Sequence, residues 1–314
     1  MAIYLVRRVA LAIGVLWAAF TVSFVVLYLL PGDPVATMAS GGLDGEPLTP
    51  EALDALRARY GLDQPLIVQY GTRLWDALHG DFGTSIQSGK DVGEAIREAL
   101  PPTIQISVAG LAFAIVFGGA VVLVATYTSA RWLRQLLMAL PSLAVSLPVF
   151  WVGLMLVQVF SFQLRLLPSV GAKGLESLVL PAITLGLPTG ALVAQVLAKS
   201  LSAALDEPYV VTARAKGAGR VAIHLRHALR NAALPALTVL GYVVGNLLAG
   251  SVVVETVFTR PGLGRLTVSA VSVQDIPLVQ GIVVFAAAVF VAVNLLVDLI
   301  YPVLDPRIAT GAAV

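Results

Sequence analysis

Residues 210–235 read VVTARAKGAGRVAIHLRHALRNAALP and form the basic interruption of an otherwise apolar chain. Five of the twenty Lys and Arg fall here (Arg214, Lys216, Arg220, Arg226, Arg230), with His224 and His227 and not one acid. Such a segment belongs in water beside a membrane, because each charge in the hydrocarbon centre costs about 3 kcal/mol. From Val221 onward the spacing predicts an amphipathic helix. Val221, Leu225, Ala228, Leu229 and Ala232 share one face, Arg220, His224, Arg226, His227 and Arg230 take the other, and only Ile223 breaks the pattern. Gly217 and Gly219 permit backbone angles that other residues resist, so a short helix ending near Lys216 turns sharply into the amphipathic one. On composition alone, a cytoplasmic loop that only fixes topology accounts for the stretch.

Around it lie 314 residues, 58% hydrophobic and 12% charged, too little polar surface to cover a water-soluble globule of this length. The chain is therefore expected to be an integral membrane protein. Cysteine is absent, which excludes disulfides, zinc–thiolate sites and a cysteine nucleophile. Three histidines are few for a metal enzyme, and the net charge of +2 calls for no nucleic-acid partner.

The apolar run Val9–Leu30 is long enough, at roughly 33 Å as a helix, to cross the ~30 Å hydrocarbon core. Its bulky end and the Pro-Gly-Asp-Pro that follows favour a retained span over a cleaved signal peptide. Five further runs, Ile104–Tyr127, Leu136–Phe162, Leu178–Leu197, Ala236–Val257 and Leu278–Tyr301, bring the expected number of spans to six. With the amino terminus inside, Arg7, Arg8, Arg131, Arg134, the basic stretch and Arg307 face the cytoplasm. The short outer loops then carry only Arg165, Lys173, Arg260 and Arg265, as the positive-inside rule requires, and both termini are cytoplasmic. Pro141, Pro148, Pro181 and Pro188 interrupt spans and can kink them, whether for packing or to surround a pathway. Gly186 with Gly190, and Gly241, Gly245 and Ala249, place small residues at the four-residue spacing of close helix contact.

Between the first two spans, residues 31–102 hold eleven of the eighteen acids and read as a soluble excursion. Thr49 and Pro50 predict the start of a helix through Tyr60, stopped by Gly61, and Pro65 opens a second with Leu66, Tyr70, Leu74 and Leu78 on one stripe. The acids lack EF-hand spacing. GTSIQSGK at 83–90 imitates a phosphate-binding loop, but five residues separate its glycines and Asp91 follows the lysine, so nucleotide binding by this chain is not expected.

Polar groups within spans face protein or water more often than lipid. Glu255 and Asp298 lie near span ends, where reaching the interface is favoured over a proton relay. Asn246 is deeper, and lining a path or bonding a neighbouring helix both fit it. Pro261, Gly262 and Gly264 specify a turn that no helix continues through.

VTARAKG, ending at Gly217, resembles the EAA-type loop of ABC-importer permease subunits, which docks into the ATPase. Aligned on Gly217, the leading residues are Val211, Thr212 and Ala213, so the glutamate is missing and one alanine is kept, and Leu234-Pro235 closes the motif late. Those departures resemble the peptide-importing branch, in which TARAKG is followed by RHALRNALLP. PGDP at 31–34, GLDQP at 61–65, VQY at 68–70, GDFGTS at 80–85, ETVFTRPGLG at 255–264 and QDIPLVQG at 274–281 are similar to the B-type membrane subunit of the peptide/nickel import family, in the same order.

The resemblance implies an all-α polytopic fold of six transmembrane helices, the type I ABC importer transmembrane domain, with an extracytoplasmic insertion after the first helix. The organisation is then 1–30 as first helix, 31–102 as insertion and 103–308 as core, with a coupling loop at 200–235. It implies a non-catalytic permease subunit that moves di- and oligopeptides across the bacterial inner membrane by alternating access. Relatives of similar sequence import nickel chelates, glutathione or oligosaccharides. A stand-alone secondary transporter fits less well, because neither a clear intramembrane charge nor an inverted repeat is evident. Ala213, Arg214, Ala215, Lys216, Gly217, Arg226, His227 and Arg230 would couple to the ATPase, with Ala213 and Gly217 where a cleft of the partner demands small side chains. Asn246, Glu255, Pro261, Gly262 and Gly264 would belong to the pathway or its gate. The chain would hold no cofactor, ATP and magnesium being bound by partners. Those partners would be a second homologous permease subunit, two ATPase subunits or one fused ATPase, an extracytoplasmic substrate-binding protein and membrane lipid.

Overall fold

Proline ends some helices of this protein and runs through others. The computed structural model describes residues 2–29, 50–59, 61 and 63–304. The PGDP turn at 31–34, Thr49, Tyr60 and the tail at Arg307 lie outside the described residues, which contain helices and no strand. In order the helices are α1 (Ala2–Leu29), α2 (Pro50–Arg59), α3 (Leu66–Leu78), α4 (Val92–Tyr127), α5 (Arg131–Ser146), α6 (Val149–Leu156, continued by π turns over Val157–Gln163), α7 (Glu176–Leu205) and α8 (Pro208–Ala215). Then come α9 (Arg220–Ala222), π turns over Ile223–Ala228, α10 (Leu229–Val257), α11 (Leu263–Ser272) and α12 (Ile276–Leu304).

Four stretches are long and apolar enough to cross a membrane among the described residues: Val6–Leu27, Val92–Tyr127, Glu176–Leu205 and Ile276–Leu295. The bent pair α5 and α6 is apolar enough together to make a fifth when counted as one span. The expected span Ala236–Val257 lies on the 29-residue α10, of which Gly245–Val257 registers as a shorter apolar helix. The third span is broken rather than straight, with α5 and the α6 segment meeting at 106°. Pro148 causes this: its ring forces Leu147 out of the helical region, to φ −86° and ψ 131°. Pro181 and Pro188, by contrast, sit inside the continuous α7. The second span also differs from expectation, because α4 begins at Val92 and runs unbroken through Pro101 and Pro102, where the excursion was expected to end.

The chain divides into two compact units. One comprises Pro102–Gly264 with Val293–Val314, and α7 is its axis. The apolar stretch of α7 is 61% buried within the chain, whereas that of α1, in the other unit, is 11% buried. α7 packs along α10, α5 and α6. Its approach to α4 is close because both lines of contact are made of small residues: a Cβ at Gly118 would stand 2.6 Å from the Gly190 carbonyl, and one at Gly186 would overlap the Gly110 carbonyl. The four-residue spacing of Gly186 and Gly190 therefore meets an equal spacing of Gly110, Ala114 and Gly118.

The other unit comprises Met1–Pro101 with Arg265–Ala292. Tyr70 of α3 lies edge-on to Phe20 and Phe24 of α1, and its hydroxyl is 2.9 Å from that of Thr21. This anchor turns Gln69 and Tyr70 inward and leaves Leu66 and Leu78 exposed, so the expected stripe through Leu66, Tyr70, Leu74 and Leu78 does not form. Asp275, buried between α11 and α12, holds the loop that precedes α4. Its carboxylate accepts from the Ser85 hydroxyl at 2.5 Å, the Ile86 amide at 3.1 Å and the Gln87 amide at 3.3 Å. A Cβ on Gly281 would overlap Val92. The motifs GDFGTS and QDIPLVQG thus meet in space. Asp275→Asn removes one acceptor oxygen and is expected to cost about 1–3 kcal/mol. Limited proteolysis should then cut the 80–91 loop faster, and an unchanged cleavage rate would refute the anchor.

Candidate functional site

The basic stretch folds as helix, elbow, helix. Pro208 at the first position pre-sets the turn that opens α8. Gly217 closes it at φ +84°, with its amide bonded to the Arg214 carbonyl at 2.9 Å and the Ala218 amide to the Ala213 carbonyl at 3.0 Å. That pair of bonds is a Schellman cap, which needs a left-handed residue where glycine sits. Among the described residues no atom lies within 4 Å of a Cβ built on Gly217, so backbone angle and not internal crowding demands glycine here. Arg214, Ala215, Lys216 and Gly217 are exposed and Ala213 is half-buried, while Val210 is buried beneath them. The nearest acids in sequence are Asp206 and Glu207 on one side and Glu255 on the other.

Beyond the elbow the amphipathic pattern is corrected. Ile223, which broke the expected face, is 2% exposed, and His224 is buried with it, whereas Val221 and Leu225 stand 55% and 50% exposed. The reason is the π segment over Ile223–Ala228: its wider turn rotates the register against a 3.6-residue repeat, so the buried line runs through Ile223, Ala228 and Ala232. His224 lies 3.0 Å from the Arg220 carbonyl and its ring stands edge-on to Tyr127. The Arg220 guanidinium sits over the Tyr127 ring at 4.6 Å and donates to the Tyr127 carbonyl and, at 3.3 Å, to the Ser129 hydroxyl. Arg220 and His224 therefore tie the elbow to the end of α4, leaving Arg226 and Arg230 exposed and His227 half-buried.

The second cluster is the turn ETVFTRPGLG. Glu255 is wholly buried and does not reach an interface, which corrects that expectation. Its carboxylate accepts from the Thr103 hydroxyl at 2.6 Å and the Gly264 amide at 2.7 Å. Thr103 in turn accepts from the Leu263 amide at 2.8 Å. A Cβ on Gly262 would overlap the Glu255 carboxylate, and one on Gly264 the backbone of Val252, so both glycines are sterically required. Arg260, expected in an outer loop, is also fully buried. It donates to the Gly171 carbonyl at 3.1 Å and the Ser177 carbonyl at 3.2 Å. Pro181 lacks the amide that would otherwise bond Ser177 within α7, so Arg260 satisfies the carbonyl that this proline frees. Burial pulls the Arg260 guanidinium below its ordinary range, and Glu255 beside it opposes the shift. Pro261 and Asn246 are exposed. Thr103 and Asp275 were not singled out from sequence; nothing local distinguishes them from other polar residues until their partners 152 and 190 positions away are brought up.

Residues 119–310 match the family described as binding-protein-dependent transport system inner membrane component, and residues 1–107 match its N-terminal companion. The chain belongs to this family. It is a permease subunit of an ABC importer, a multi-pass protein of the inner membrane whose transport system includes ATPase and substrate-binding partners. The permease is 38% identical over 312 residues to a peptide transport system permease protein of Brucella suis biovar 1 (strain 1330), covering 97% of this chain and 98% of that protein. It is 36% identical over 305 residues to the glutathione transport system permease protein GsiC of Escherichia coli (strain K12), with the same coverage. Among solved structures, the permease shares its fold with one described as the crystal structure of an amino acid ABC transporter with histidines. The TM-score is 0.51 at 16% identity, over 68% of this chain and 94% of that one.

Proposed function

We propose that this permease imports short peptides and that α8 is the element through which an ATPase drives it. The supporting observation is the exposed α8 itself. It is basic at its end and held by a glycine cap, and the segment beyond its elbow is fastened through Arg220 and His224 to the end of α4, so a push on α8 reaches a membrane-spanning helix. Ala213, Arg214, Ala215, Lys216 and Gly217 form the docking surface, with Arg226, His227 and Arg230 flanking it. ATP and magnesium are bound by two ATPase subunits, or one fused ATPase, and their closure biases the permease between inward- and outward-facing states by contacting them differently. A second homologous permease subunit completes the pathway, and Asn246, exposed on α10, faces it. The turn at Glu255, Pro261, Gly262 and Gly264 braces the gate. Both termini are cytoplasmic, and an extracytoplasmic binding protein delivers cargo at the face that carries residues 31–102.

Peptide cargo follows the name of the Brucella relative, and glutathione, itself a tripeptide, is the second reading because of the Escherichia coli relative. Uptake of a labelled tripeptide in cells deleted for this chain tests both. Uptake should be restored by the native protein and competed by unlabelled peptides. Competition by glutathione alone would move the cargo to the second reading. Competition by a nickel chelate and not by peptide would overturn both, and restored uptake that survives ATP depletion would overturn the coupling.

A further inference from the structure

Helix α3 wears its apolar side outward. At ~100° per residue, Ile67, Val68, Gly71, Trp75 and Leu78 share one sector of roughly 100°. Ile67 is 80% exposed, Trp75 65% and Leu78 73%. Gln69, Arg73 and Asp76 lie on the other side of the helix, where Gln69 is buried and its amide donates to the Gln64 carbonyl at 2.6 Å. A helix bathed in water is selected for the reverse arrangement, so something apolar covers this face.

What covers it follows from where α3 is fastened. Its anchor is Tyr70, whose ring centre is 5.7 Å from that of Phe20 and 5.3 Å from that of Phe24, with the Thr21 hydroxyl at 2.9 Å. All three partners belong to the membrane span Val6–Leu27, three to seven residues before its end. At ~1.5 Å per residue that is about 5–10 Å inside the hydrophobic boundary, the depth at which interfacial amphipathic helices lie. Trp75 and the adjoining His79, with ring centres 4.7 Å apart, give the helix the amphipathic aromatic typical of that level.

We infer that α3 is an interfacial membrane helix. It lies flat in the leaflet at the Leu27 end of the first span, with the sector from Ile67 to Leu78 in contact with lipid acyl chains. The occupant of the exposed face is therefore phospholipid, and this part of the excursion is not in water. A helix so placed holds α1 by its outer end, and through the chain that follows it delivers the 80–91 loop to its anchor at Asp275.

The test uses the full-length chain reconstituted in phosphatidylcholine bilayers. With Trp17→Phe, Trp132→Phe and Trp151→Phe, Trp75 becomes the single reporter. Lipids brominated on the upper acyl chain should lower its emission roughly twofold, while aqueous iodide leaves it nearly unchanged. Because the native chain has no cysteine, Ile67→Cys and Leu78→Cys can each carry a nitroxide without background. Both labels should collide with oxygen more than with a water-soluble nickel chelate, and to the same extent, as a flat helix requires. Quenching by iodide, or preferential collision with the chelate, would place the face in water. Shielding from both lipid and aqueous probes would assign it to a protein partner. Either result overturns the inference, and the cysteine variants decide it if the tryptophan replacements do not fold.

Discussion

Replacing Gly217 with aspartate is expected to abolish uptake while leaving the permease at its normal level in the membrane. Two effects are separable at this position. The φ of +84° penalises an ordinary side chain, so Gly217→Ala should cost about 1 kcal/mol and fray the end of α8. Aspartate and asparagine both tolerate the left-handed region, and among the described residues nothing crowds a Cβ at this position. Gly217→Asn therefore tests bulk at the docking surface and Gly217→Asp adds charge to it. An unpaired charge buried against a partner costs about 2–5 kcal/mol, or roughly thirtyfold and more in coupling. Thermal stability should be the same for both variants, with uptake falling in the order glycine, asparagine, aspartate. Normal uptake by a well-expressed Gly217→Asp variant would remove α8 from the coupling surface.

Glu255→Ala is expected to be the most destabilising single substitution outside the helix contacts. It deletes the acceptor for Thr103 and the Gly264 amide, and it leaves Arg260 buried without its countercharge. Leaving two buried donors without their acceptor costs about 1–3 kcal/mol each, and the weakened compensation of the Arg260 charge adds to it. Arg260→Met should also destabilise, because the Ser177 and Gly171 carbonyls lose their donor. The double variant should be less destabilised than the sum of the two, since no uncompensated charge remains. Thermal melts in detergent measure all three. Strict additivity would show that Glu255 and Arg260 act independently.

Both predictions concern motifs that the sequence displays openly, yet only one was legible in detail. The glycine elbow at Gly217 is a local device: a helix end, a left-handed residue and a proline start are written in consecutive positions. Glu255 and Arg260 are five apart in sequence and could each pass for an interfacial charge. Their burial depends on Thr103 and Gln105 of α4 and on the start of α7, all more than seventy residues earlier in the chain.

The sequence by itself determined the apolar helical class, most of the spans, the basic loop with its elbow and the close contact of Gly186 and Gly190. These rest on hydropathy, on short-range periodicity and on glycine and proline, whose effects are carried in the backbone around them. Only the tertiary structure decided that the third span breaks at Pro148 while α7 passes through two prolines. It also showed that the π turns bury Ile223 and His224 in place of Val221 and Leu225, and that Asp275 joins two motifs almost two hundred residues apart. The break at Pro148 is local, but in the other cases the energy that settles the matter is a partner supplied by a distant segment: a carbonyl that needs a donor, a carboxylate that needs amides, a groove that accepts one face of a helix over another. Periodicity records the average helix and cannot register which turn a distant neighbour has widened or which charge it has enclosed.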